Sequence, residues 1–330
     1  MRESLFIKRN LERWQKIQQE PAKDPDEMAA EFTTLLDDLA YAKTFYSYSK
    51  VTRYINGMAA GIYQRIYKNR KEDQGRIRSF FALELPLLFR RNQGIFLFTT
   101  LFFIFFCVIA AFSAAHDDTF VRGVLSDSYI NMTEQNIAKG DPFGVYNDGN
   151  ELLMFLEIAK NNISIALSCF VTGIALCLGP AYLLVVNGMM LGAFQYYFFS
   201  KGLGAASVLV IWIHGTLEIS AIILSGTAGF VMGSKILFPG TRKRVDALKQ
   251  GAKDGLKIMV MVIPMLLCAG FLEGFVTRHT HMPLAASISI LALSLSFVVG
   301  YFVFYPIYLH RRGYVLEPDG AIIRPAKKNV

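Results

Sequence analysis

His214 and Glu218 stand four residues apart inside residues 207–233, SVLVIWIHGTLEISAIILSGTAGFVMG, a run otherwise suited to the hydrocarbon core of a membrane. That spacing puts imidazole and carboxyl on one helix face. A carboxylate exposed to lipid costs several kcal/mol, so it must face protein or a wet cavity and find a partner there. The candidate partners are Glu273 and Asn162, which also interrupt apolar segments. An imidazole flanked by two carboxyls can relay protons or bind a solute, and the same groups can equally serve as a polar fastening between spans.

The elements that must position these groups follow from composition. With 330 residues, 53% hydrophobic and 18% charged, the chain is too apolar for an ordinary soluble protein and long enough for several spans. The expected fold is all-α: a polytopic bundle of about six spans, with a helical cytoplasmic region before it. Residues 1–93 form that region, residues 94–309 the bundle and residues 310–330 a cytoplasmic tail. The N-terminal sequence has basic residues and no apolar h-region, so insertion is expected to rely on internal spans.

Within residues 1–93, Asp24-Pro25-Asp26-Glu27 reads as a helix start, and the run after it as one long helix or a broken pair. Residues 76–91, RIRSFFALELPLLFRR, read as an interfacial helix. The apolar segments are 94–115, 163–186, 187–203, 207–233, 258–277 and 284–309, with an amphipathic helix at 151–162 leading into the second. Gly173, Gly179 and Pro180 are expected to bend that second span, and 187–203 is short enough to be either a span or re-entrant.

Charge sets the orientation. Arg90 and Arg91 precede the first span, and Lys235, Arg242, Lys243, Arg244, Lys249, Lys253 and Lys257 mark the loop at 234–257 as cytoplasmic. Residues 116–150 carry six acids against Arg122 and Lys139, as an external loop should. Both termini then lie inside, in a cell inner membrane. His214 falls about 10 Å and Glu218 about 16 Å below the outer end of the fourth span, at roughly 1.5 Å per residue. Asn162 and Glu273 belong to the same external half.

Other chemistries find less support. The four cysteines form no CxxC or Cys/His spacing. A zincin needs HExxH, whereas this chain offers His214-Gly215-Thr216-Leu217-Glu218 and the distant pair His279 and His281, so no metal and no other cofactor is expected. Ser225-Gly226 supplies a small nucleophile with no specified base, and no catalytic residue is assigned. The net charge of +8 sits beside spans, which points to anionic lipid and excludes nucleic acid as the partner. There is no GxxxxGK[ST] motif, so ATP-driven work would have to come from another chain.

Gly188 with Gly192, and Gly229 with Gly233, are GxxxG pairs expected to pack the third and fourth spans on each other, with a homodimer contact as the alternative. Gly215 joins the expected packing glycines.

Taken in order, Asn162, Asn187-Gly188 with Gly192, His214-Gly215 with Glu218, Gly229, Pro239-Gly240 and Glu273-Gly274-Phe275 resemble the stage II sporulation protein M family of integral membrane proteins. The likeness runs over roughly residues 80–280, and the aromatic helix ending in Tyr54-Ile55-Asn56 is similar to the family's N-terminal region. The resemblance implies a non-catalytic envelope subunit that anchors other proteins, among them MoxR-type ATPases or envelope enzymes. A proton- or ion-coupled permease using His214, Glu218 and Glu273 is the alternative, and a membrane enzyme the third.

Overall fold

The computed structural model describes residues 2–19, 22, 24–68, 75–144, 150–277, 282–317 and 320–324, and among them the chain is almost wholly helical. The chain divides into two compact units, Met1–Arg76 and Ile77–Val330. The division falls before the interfacial segment, so residues 77–93, grouped by sequence with the N-terminal region, fold with the bundle.

The first unit is three helices, Glu3–Gln19, Pro25–Phe45 and Lys50–Lys68. The run after Asp24 is therefore the broken pair, and Asp24 caps its start by accepting from the backbone N–H groups of Asp26 and Glu27. The core of this unit is Trp14, Leu35, Ile55 and Ile62, all fully buried. Trp14 also donates its indole N–H to Asp38 at 2.8 Å, and Asp38 pairs with Arg13.

The second unit holds six helices long and apolar enough to cross a membrane: Gln93–His116, Glu151–Ile174, Leu178–Ser200, Gly204–Leu237, Arg244–Thr277 and Leu284–Arg311. We number them spans 1 to 6. The second span ends earlier than its hydropathy suggests. Gly173, Gly179 and Pro180 do not bend it; they border a tight turn in which Leu176 and Cys177 adopt φ of 53° and 70°. The third span is thereby a continuous helix of 23 residues, and no re-entrant segment is needed. Spans 4 and 5 form the centre, whereas spans 1 and 6 turn most of their apolar surface outward.

Glycines set the closest approaches, with partners other than those the GxxxG pattern suggests. Gly188 and Gly192 face the backbone of span 1 at Phe103 and Cys107, while Gly229 and Gly233 face Cys169, Gly173 and Cys177 around the turn between spans 2 and 3. The two pairs do not meet because they lie on opposite sides of their neighbours; span 4 meets span 3 through Gly226 against Leu184.

Polar groups fasten the ends. Residues 76–91 form a helix with a π turn at Phe80–Glu84, and a second π turn at Gly300–Phe304 lies in span 6. A π turn loosens the backbone hydrogen-bond ladder, and the hydroxyls of Tyr301 and Tyr305 donate to the carbonyls of Phe81 and Ala82 at 2.6 and 2.9 Å. Nearby, Arg91 pairs with buried Asp254 at 2.6 Å and Lys257 with Glu84 at 2.8 Å. The tail is not free. Val315–Leu316 pairs antiparallel with Ile322–Ile323, Leu316 is buried in the bundle's core, and Arg91 donates to the Glu317 carbonyl.

Candidate functional site

The side chains singled out by sequence converge. His214 and Glu218 lie on span 4, and Glu273 reaches them from the π turn Leu272–Thr277 that ends span 5. One ligand-type atom from each of the three lies within 4.8 Å of the other two. Asn162, from span 2, hydrogen-bonds to Glu218 and in turn accepts from Asn161. Four groups from three helices thus form one polar cluster inside the bundle.

A residue that sequence reading missed fixes the imidazole. The Thr277 hydroxyl donates to the Leu272 carbonyl at 3.1 Å, so its oxygen accepts from His214 Nδ1, also at 3.1 Å. A hydroxyl has only one proton to give, and this assigns the Nδ1–H tautomer of the neutral ring. The other nitrogen, Nε2, faces the Glu273 carboxylate at 4.0 Å. The signal for Thr277 was its spacing of four from Glu273, but the π turn decides where it points.

The cluster borders a cavity of about 330 Å³. His214, Gly215, Glu218 and Glu273 form its polar wall, and Val124, Leu125 and Tyr129 of the short helices Asp118–Leu125 and Asp127–Ala138 line another side. Gly215, expected to pack two helices, has nothing within 4 Å of where a Cβ would sit. It leaves the cavity room instead. Tyr129 is held neutral, since burial pushes its phenol up to about 12. Beside the cavity, Trp212 donates to Gln195 and Gln195 to Ser207, both at 2.9 Å, which ties span 3 to span 4. Ser225 is buried and spends its hydroxyl on the Ile222 carbonyl. His279 and His281 lie outside the described residues.

Six apolar helices around an ionisable cluster and a cavity define a polytopic helical membrane protein with an internal polar site. The family model for stage II sporulation protein M matches residues 99–278, more than half of the chain, and the chain belongs to that family. Residues 4–68 match a domain of unknown function, DUF8413, which coincides with the three-helix unit. Two uncharacterized proteins of Methanocaldococcus jannaschii are similar. One is 27% identical over 195 residues, covering 57% of this chain and 83% of the relative, and the other is 27% identical over 126 residues, covering 37% and 70%. No solved structure matches.

Proposed function

We propose that the chain is a membrane subunit that anchors and organises an envelope protein complex, without catalysis of its own. The observation that carries this reading is the division into two compact units: a three-helix unit with its own core and polar surface, and a membrane bundle bearing a separate pair of short helices. Such a chain offers one docking surface on each side of a cytoplasmic membrane when both termini lie inside, as the basic residues flanking the spans favour. Family membership supports partners such as a MoxR-type ATPase or envelope enzymes, and self-association through lipid-facing surfaces is compatible with it. In this role His214, Glu218, Glu273 and Asn162 hold spans 2, 4 and 5 in register.

The test is to compare yield, thermal stability and the cross-linked partners of the chain in native membranes with those of His214→Gln and Glu218→Gln. Loss of assembled complex in step with loss of phenotype supports anchoring. Full assembly with a complete loss of phenotype overturns it.

A second reading, a proton- or ion-coupled permease, is favoured by one specific observation: the cluster opens on a cavity. It requires pH-dependent flux in proteoliposomes. Flux that is indifferent to Glu218→Gln removes it.

A further inference from the structure

The sequence offers no metal-binding motif, yet the geometry points to one. We propose that His214 Nε2 and the carboxylates of Glu218 and Glu273 bind one divalent first-row transition metal of the zinc type, with an open coordination position toward the cavity. The inference stands apart from the anchoring role.

Three observations carry it. The first is the donor set. A borderline ion such as zinc takes imidazole nitrogen and carboxylate oxygen together, whereas calcium and magnesium prefer oxygen alone. Its ligand atoms lie roughly 3.4 Å apart in a tetrahedral site with bonds of about 2.05 Å. The present atoms, within 4.8 Å, need only small side-chain rotations to close on an ion.

The second observation is the tautomer. The hydrogen-bond chain Leu272 carbonyl, Thr277 hydroxyl, His214 Nδ1–H leaves the lone pair of neutral imidazole on Nε2, the nitrogen that faces Glu273. A metal-binding histidine is oriented in just this way by an acceptor on its far nitrogen. Asn162 does the corresponding service for Glu218. Both outer partners are in place before any ion is considered.

The third is charge. A neutral imidazole with two ionised carboxylates sums to −2, which a hydrocarbon setting does not tolerate, and a divalent ion brings the sum to zero. The cavity of about 330 Å³ beside the cluster gives the ion a route in and leaves its remaining position open to water or to a small anionic ligand. Three protein ligands with one open position is the arrangement of a working metal site; purely structural sites close the fourth.

The test uses the full chain in detergent. Protein stripped with EDTA and dialysed is titrated with zinc sulfate, and bound metal is counted by mass spectrometry alongside the thermal midpoint. The expected result is one equivalent per chain and a raised midpoint in the parent. Glu273→Gln is expected to weaken binding about a hundredfold, and Thr277→Val, which leaves all three ligands, about tenfold. If Glu273→Gln fails to fold, zinc X-ray absorption on the parent decides alone: one imidazole with oxygen ligands at about 2.0–2.1 Å supports the site. A parent that takes up no zinc, a spectrum lacking imidazole, or folded variants that bind as the parent does would each overturn the proposal.

Discussion

The two units of this chain solve the problem of staying folded in opposite ways. In the three-helix unit Trp14, Leu35, Ile55 and Ile62 are withdrawn from the surface while Lys8, Arg9, Glu12 and Lys16 are exposed. In the membrane unit Leu97, Phe98, Leu101 and Phe105 are exposed, while His214, Asn162 and Asp254 lie inside. Hydrophobic burial drives the first. It cannot drive helix association in the second, where lipid is as apolar as leucine, so close glycine contacts and polar pairs must do it. The same residue type therefore carries different weight in the two places.

The sharpest test of that contrast is Asp254→Ala. Removing one member of the buried pair strands the Arg91 guanidinium, and a loss of about 4 kcal/mol is expected from the membrane unit. Thermal unfolding followed by size-exclusion chromatography in detergent reads it. A loss below about 1 kcal/mol, the level of an exposed pair, would show that water reaches the site.

Next comes Leu35→Ala, expected to cost the three-helix unit about 3 kcal/mol because its side chain is fully buried. Circular dichroism of the full chain should show an early transition belonging to that unit, with the bundle's own transition in place. A single shifted transition would mean that the units fold as one.

Gly229→Ala should cost about 2 kcal/mol by overpacking, since the added methyl meets the Cys169 carbonyl and the Pro180 ring. Gly215→Ala, with open space around it, should leave the detergent melting temperature unchanged. Equal effects at the two glycines would break the packing argument.

The smallest effect is expected from Leu101→Ala, which repeats the chemistry of Leu35→Ala at a residue 57% exposed. A change within about 0.5 kcal/mol would complete the contrast between the units. A loss as large as that of Leu35→Ala would mean that span 1 is covered by another protein surface.

Much of this architecture was legible because apolar runs and helical spacing are local properties. The six apolar segments and the shared face of His214 and Glu218 follow from residue order alone. The junction between spans 2 and 3 was not, because it depends on Leu176 and Cys177 adopting a left-handed backbone conformation that neither residue advertises. Nor could the order of residues say which helix lies against Gly192 or Gly229, since GxxxG declares a small surface but not its partner. The site was half readable. Glu273 could be placed at the right depth, but its approach to His214, the role of Thr277 and the hydrogen bond from Asn162 all depend on how three helices are rotated, which hydropathy does not encode.

The π turn at Leu272–Thr277 carries a genetic consequence. A π turn accommodates one residue more than the α-helix around it, so it behaves like an insertion retained within the reading frame. Deleting a single codon there would let the helix relax to regular α geometry and swing each residue beyond the lesion by about 100° around the axis. Codon exchanges in this stretch should therefore be milder than one-codon losses, and the protein's tolerance to mutation here is set by chain length before it is set by residue identity.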